Sequence, residues 1–386
     1  MKLNRPVGIV APCRTPSGKL AGSLALREPH ELLAHVMTHV VGRTGGRVDE
    51  VIAGSVRCGL GNVARVAALH AGIDMSVPAF TVDRQCASSL EALAVAAAKI
   101  NAGLVERTLV GGVESASRGP WFMEKTSRPY AYGEPRPYRI RLSTDTIGDL
   151  SMGETAELLA DEYDITREQM DAFAHQSHMR AADAVAHGSF DTETVPLPPR
   201  RGRLDPVVRD ETIRADTTLG GLAKLSPAFR KGGRVTAGNA SPLTDGASAC
   251  YAASLESLEA DGLSPDALLV GISTVALDPK HMGMGPAQAI PRLLEAHGLG
   301  QDDIDLFEIN EAFASQILAV NRELGLPSEK LNIHGGAIAL GHPFGATGVR
   351  LVATLVNAMK QRGKKRGIVS LCIGGGQGMA ALFELP

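Results

Sequence analysis

Two stretches of this chain, residues 79–117 and 332–381, run through the same order of apolar and small residues. That repetition constrains the fold more than any other feature. The first stretch reads as a short strand, AFTV, a small-residue turn holding Cys86, an apolar helix, SLEALAVAAAKINAG, and a strand, RTLVGGVESAS. The second reads as a strand, NIHGGAIAL, a glycine turn after His342, a helix, ATGVRLVATLVNAMKQRG, and a strand, RGIVSLCIGGGQGMAAL. Apolar residues at helical spacing between apolar strands make a strand–helix–strand unit with parallel pairing. Finding the unit twice predicts an α/β protein built from duplicated halves.

Residues 118–242 differ in character. WFMEKTSRPYAYGEPRPYRIRLSTDTIGD and PLPPRRGRLDPVVRDETIRADTTLG are rich in arginine and proline. Between them, SMGETAELLADEY and TREQMDAFAHQSHMRAADAVAHG read as helices. The second opens with a capping box from Thr166 to Gln169 and ends at Gly188. A structureless loop of this length is out of place in a compact fold, so the segment reads as an inserted loop domain covering a site. The expected organisation is an N-terminal half of 1–117 with 243–264, a loop domain of 118–242 and a C-terminal half of 265–386.

Composition removes several classes of function. A formal net charge of −3 over 386 residues offers no electrostatic case for nucleic acid as a partner. No apolar run approaches the roughly 20 residues of a membrane span. The opening MKLNRPVGIVAPCRTP, broken by proline and arginine, is not a secretory signal. The five cysteines, Cys13, Cys58, Cys86, Cys250 and Cys372, are widely spaced and include no C-x-x-C pair. Neither a disulfide framework nor a zinc ribbon fits, and a reducing, cytoplasmic setting with no metal is expected.

Four side chains stand where chemistry is plausible. Cys86 falls where strand gives way to helix, so unpaired N–H groups and the helix dipole would favour its thiolate; a buried structural cysteine is the alternative. Cys372, in SLCIGGGQG, precedes glycines at 374, 375 and 376 whose N–H groups can serve as oxyanion donors, or which simply end a strand. A dinucleotide fingerprint there would need glycine at 379, which is methionine. His342 occupies the turn that matches the Cys86 turn, so pairing of the halves would bring thiol and imidazole together at the strand ends. Otherwise it is a satisfied structural histidine. Asn310, in FEINEAFASQ, can hold a water or substrate oxygen, or cap the helix that follows.

VDRQCASSLEA, GGVESAS, VTAGNAS, MGMGP, NEAFA, GGAIALGHPFGATG and CIGGGQG occur in an order and spacing that resembles the thiolase family, from APCRTPSGKLAGSL to the last strand. The resemblance implies the thiolase fold, two similar α/β halves in a five-layered αβαβα structure with a loop domain over the active site. It implies cleavage of a 3-ketoacyl-CoA by coenzyme A to acetyl-CoA and a shortened acyl-CoA, or the reverse Claisen condensation. Coenzyme A is then a substrate, no cofactor is implied, and a homodimer or homotetramer is expected.

Carried over by position, Cys86 resembles the nucleophile that becomes an acyl thioester, His342 its base, and Cys372 the acid/base that moves a proton. Asn310 is similar to the residue that holds a water and, with His342, makes one oxyanion hole; N–H groups of Cys86 and Gly374 would make the second. Ser241 lies where the family contacts the pantetheine arm, and Met152, Ala237 and Phe313 are expected to line the acyl-CoA site. Arg200, Arg201 and Arg203 would pair with coenzyme A phosphates, or form a solvated basic surface.

Some positions depart from the family pattern. Asp83 stands where asparagine is common and, if close, opposes the Cys86 thiolate. His334 replaces an asparagine, and Pro242 alters the turn after Ser241. Ser151 stands where acetoacetyl-specific members carry histidine, which favours a broader or degradative enzyme over a biosynthetic acetoacetyl-CoA thiolase. A non-catalytic carrier of acyl-CoA or lipid would need none of the four reactive residues. A ketosynthase-like enzyme would pair one cysteine with two histidines, whereas the second position here is Cys372.

Overall fold

The structure is a computed structural model that describes residues 2–125, 134–200 and 205–386. Its strands in chain order are β1 (Lys2–Arg14), β2 (Gly18–Lys19), β3 (Glu50–Gly54), β4 (Ala79–Val82) and β5 (Arg107–Ser115). They continue as β6 (Thr244–Ala253), β7 (Ala267–Ala276), β8 (Leu306–Ile309), β9 (Arg366–Ile373) and β10 (Gln377–Glu384). Hydrogen bonding runs through the order β4-β3-β5-β6-β1-β7-β10-β9-β8, with β2 beside β6.

That order reads the same from both ends. β4 and β5 flank β3 in parallel, β6 is antiparallel to β5, and β1 is antiparallel to β6. In the second half β8 is parallel to β9, β10 is antiparallel to β9, and β7 is antiparallel to β10. The counterpart of β4 is reduced to a single parallel bridge between Phe307 and Leu331. The halves join where β1 meets β7 in antiparallel register, as a pseudo-twofold requires.

Side chains alternate across each strand, and the alternation sorts them into three apolar layers. Val110, Cys250, Val369, Leu371, Met379 and Ala381 face one shared core, which also takes Leu90 and Leu93 of helix Ser88–Asn101 and Val352 and Leu355 of helix Thr347–Arg362. The opposite face of the first half, with Leu109, Val113 and Tyr251, packs under helices Pro29–Thr44 and Val63–His70. The opposite face of the second half, with Ile368, Ala380 and Leu382, packs under helices Gly285–His297 and Ala314–Leu324. Helix, sheet, helix, sheet, helix makes the five layers. The helix Thr347–Arg362 lies at the centre, buried along almost its whole length.

Three local readings need correction. The strand expected over NIHGGAIAL does not form, because Gly335 turns the chain at φ 74 and Ala337–Leu340 is a short helix. RGIVSLCIGGGQGMAAL is a hairpin rather than one strand, since Gly375 and Gly376 adopt φ of 87 and 80 between β9 and β10. Asn310 does not cap the next helix, which begins at Ala314 with Phe313 in the cap position.

Between β5 and β6 the helices Met152–Glu162 and Arg167–Ala186 form, the second with its Thr166–Gln169 capping box. The first packs on helix Ala314–Leu324 and the second on the short helix Ala337–Leu340, so this segment sits against the second half, around the His342 loop. Among the described residues no helix is long and apolar enough to cross a membrane, and no group of three or more His, Cys, Asp or Glu residues is placed to hold a metal ion.

Candidate active site

Cys86 lies in a tight turn, Gln85–Ala87, between the end of β4 and helix Ser88–Asn101. Gln85 takes φ 47, a left-handed conformation that costs a non-glycine residue about 1–3 kcal/mol and persists only where its surroundings enforce it. Part of the enforcement is Asp83, whose Oδ1 accepts the N–H of Gln85 at 2.7 Å. The N–H groups of Gly374 and of Cys86 itself point at the sulfur and favour its thiolate. Burial outweighs them, and Glu114 and Asp83 oppose the charge too, so the thiol is pushed up to about 11. Arg84 does not help, because its guanidinium is engaged with Gln377 and Glu91.

His342 follows Gly341, whose φ of 86 and close approach to Thr244 leave no room for a side chain. The His342 N–H donates to the carbonyl of Pro242 at 3.2 Å. Its ring is fixed on both sides. Nδ1 lies 2.7 Å from Thr347 Oγ1, and that hydroxyl donates to Pro343 O at 2.9 Å, so Oγ1 accepts the proton of Nδ1. Nε2 is then the unprotonated nitrogen, and Asn310 Nδ2 donates to it at 3.3 Å. Burial, with a smaller contribution from the Arg350 cation, lowers the imidazolium to about 3. Asn310 itself is buried at the end of β8, with Oδ1 lacking a hydrogen-bond partner among the described residues.

Glycines allow the two turns to meet. The turn Gln85–Ala87 packs against Phe344–Ala346 and against β9. A Cβ on Gly112 of β5 would lie 2.0 Å from Gly345 O, and one on Gly348 would lie 2.4 Å from Leu90 N. The N-termini of the two central helices are tied by Val349 N–H donating to Ser89 Oγ at 3.0 Å. Cys372 is buried at the end of β9; burial raises its thiol well above the ordinary range, and the nearby Cys86 sulfur further disfavours a second thiolate.

Most of the other expected residues lie in the same region. Gly374 approaches the sulfur through its N–H, and Met152, at the start of its helix, sits where a side chain on Gly374 would meet its sulfur at 3.4 Å. Ser241 donates its hydroxyl to Ala312 O at 3.0 Å. Phe313 bridges to Ala240 and packs edge-on against Phe229 at 5.9 Å. Ala237 is exposed in the turn that precedes them. Arg200 instead forms an ion pair with Glu31, and Arg201 and Arg203 lie outside the described residues. Ser151 caps helix Met152–Glu162 through a capping box with Glu154, and His334 packs edge-on against Phe190, away from the site.

Thr347, Leu142, Phe229 and Glu114 belong to this region and were not singled out from the sequence. Only Glu114 carried a signal, a carboxylate directly after the apolar run LVGGV of β5.

Known proteins match the chain along almost its whole length. The family models for the thiolase N-terminal domain and the thiolase C-terminal domain match residues 7–255 and 263–385. An acetyl-CoA acetyltransferase of Pseudomonas aeruginosa is 44% identical over 384 residues, covering 97% of this chain and 98% of that one. A 3-ketoacyl-CoA thiolase of Bacillus subtilis is 42% identical over 395 residues and covers 98% of both chains. The crystal structure of human mitochondrial 3-ketoacyl-CoA thiolase in complex with CoA superposes with a TM-score of 0.93 at 37% identity, covering 100% of this chain and 99% of that one. A duplicated five-layer fold, two opposed turns bearing cysteine and histidine, and matches along almost the whole sequence place the chain in the thiolase family of acyltransferases.

Proposed function

We propose that this chain transfers acyl groups between Cys86 and coenzyme A, cleaving a 3-ketoacyl-CoA or running the reverse condensation. What supports this most is the placement of one sulfur, Cys86, under the N–H of Gly374, beside a second thiol and against the turn that bears His342.

In the cleavage direction His342 Nε2 takes the Cys86 proton as the sulfur attacks the 3-keto carbon. Thiol and imidazole are both neutral at rest, so proton transfer accompanies attack rather than preceding it. The C2–C3 bond breaks and acyl-Cys86 forms. The acetyl-CoA enolate takes its proton from Cys372. The resulting Cys372 thiolate accepts the proton of an incoming coenzyme A, whose sulfur attacks the acyl group, and Cys86 leaves and recovers its proton from His342.

Charge develops on two different oxygens during these steps. The N–H groups of Cys86 and Gly374 suit the one on the acyl carbon. Protonated His342 Nε2 and a water held by the free Oδ1 of Asn310 suit the thioester oxygen. Each such donor is worth roughly 3–4 kcal/mol. Ser241, Met152, Ala237 and Phe313 line the approach for pantetheine and acyl chain.

Brief incubation with acetyl-CoA followed by peptide mass spectrometry tests the assignment. A 42 Da adduct (about one acetyl group) on the Cys86 peptide is expected, and Cys86→Ser should lose both adduct and turnover. Full turnover with Cys86 unmodified would rule the mechanism out.

A further inference from the structure

Glu114 is buried beside both turns and takes no part in the chemistry above. It stands two residues after Gly112 on β5, so both face the same side of the sheet. Gly112 makes room for the carbonyl of Gly345, and Glu114 Oε2 accepts the N–H of the same Gly345 at 3.0 Å. One strand of the first half therefore holds the residue three places after His342 by a hydrogen bond to its N–H and packs closely against its carbonyl. The carboxylate also accepts the N–H of Val56 at 3.1 Å and of Arg57 at 2.8 Å. Glu114, His342 and Phe344 line one cavity of about 100 Å³, with Arg57 and Thr244.

Burial of a carboxylate is costly, and three backbone donors are what make it tolerable here. Burial still raises Glu114 to about 7. The groups facing it are Asp83 and Cys86 from the first half, Arg57 from the loop after β3, and His342 across the cavity.

We propose, resting on the assignment of Cys86 and His342 above, that Glu114 is a positioning residue whose carboxylate clamps the His342-bearing turn against the Cys86-bearing half. It touches neither substrate nor reacting atoms; it sets the distance over which the base reaches the thiol.

The test is steady-state thiolysis of acetoacetyl-CoA by the full chain carrying Glu114→Ala or Glu114→Gln, together with alkylation of Cys86 by iodoacetamide at pH 8. Glu114→Ala should lose about 100-fold in kcat with little change in KM, the loss typical of a misplaced catalytic group. Glu114→Gln, which keeps the volume and one acceptor oxygen, should lose less. Cys86 should be alkylated faster in both variants, because a charge opposing its thiolate is gone.

Unchanged kcat in either variant overturns the proposal, as does joint loss of alkylation and turnover, which would mean that the Cys86 turn itself had collapsed. If Glu114→Ala fails to fold, as judged by circular dichroism, Glu114→Gln alone decides. His342→Ala, measured in parallel, separates the two levels: retained turnover there sinks the base assignment, whereas retained turnover in Glu114→Gln sinks only the clamp.

Discussion

The Asn310 amide donates to His342 Nε2 at 3.3 Å while the opposite ring nitrogen is committed to Thr347. Thr347 therefore sets the tautomer. It does so from the first turn of the central helix, only five residues from the histidine, so ring orientation is built into the local chain rather than borrowed from a distant partner.

Replacing Thr347 by Val should leave Nδ1–H buried and unpaired, at a cost of about 1–3 kcal/mol, and free the ring to adopt the wrong tautomer. A fall in kcat of about 100-fold with KM nearly constant is expected. Thr347→Ser, which keeps the hydroxyl, should recover most of the activity. Steady-state kinetics of the pair decides the matter, and wild-type kcat in Thr347→Val would show that the hydroxyl does not orient the base.

With Cys86 raised to about 11 and His342 lowered to about 3, no thiolate–imidazolium pair is stored in the resting enzyme. The thiolate fraction at pH 8 is about one in a thousand, so iodoacetamide should alkylate Cys86 about tenfold faster for each pH unit from 7 to 10. Cys372 is fully buried and should react later. A rate that is flat across this range, followed by peptide mapping to Cys86, would reveal a preformed ion pair instead.

The features legible in the sequence were those with a local signature. The repeated strand, turn and helix showed in the apolar pattern around Cys86 and His342, and the Thr166–Gln169 capping box needs only four residues to be read. What stayed hidden depends on contacts between segments remote in sequence. Thr347 looks like any helix-opening residue until the His342 ring is placed over it. RGIVSLCIGGGQGMAAL reads as one strand because the turn between β9 and β10 is set by positive φ at Gly375 and Gly376, which composition does not report. The strand expected at NIHGGAIAL fails because Gly335 turns the chain at φ 74, a backbone conformation that an apolar pattern does not report.

Close approach of the halves makes Gly112 sensitive. An alanine Cβ there would stand 2.0 Å from Gly345 O and 2.6 Å from Ser89 Cβ, and the first of these is backbone that cannot swing aside. Gly112→Ala should cost about 1–3 kcal/mol of stability and lower kcat by displacing the His342 turn. Gly42, within helix Pro29–Thr44, has nothing within 4 Å of an added Cβ. Gly42→Ala should instead stabilise by about 0.5–1 kcal/mol. Thermal unfolding of the two variants side by side checks the contrast, and equal melting temperatures would contradict it.

Among the contacts that tie the segment between β5 and β6 to the first half is one buried cation, Arg14. Arg14 Nε donates to Glu193 Oε1 at 2.6 Å, and its two terminal nitrogens donate to the two oxygens of Asp210 at 2.7 and 3.0 Å. All three side chains are almost fully buried, and Thr354 of the central helix adds a bond to Glu193 at 3.1 Å. Arg14→Met would leave two carboxylates buried without their cation, a loss of about 3–5 kcal/mol. Arg14→Lys keeps the charge but not the planar fork, so it should recover only part of that stability. The penalty in Arg14→Met should shrink as pH falls, because burial already raises the Glu193 carboxyl and protonating it removes uncompensated charge that the substitution exposes. Urea unfolding at pH 7.5 and at about pH 5 measures both effects. A loss below about 1 kcal/mol at pH 7.5 would mean that this network does not anchor the segment that packs around the His342 loop.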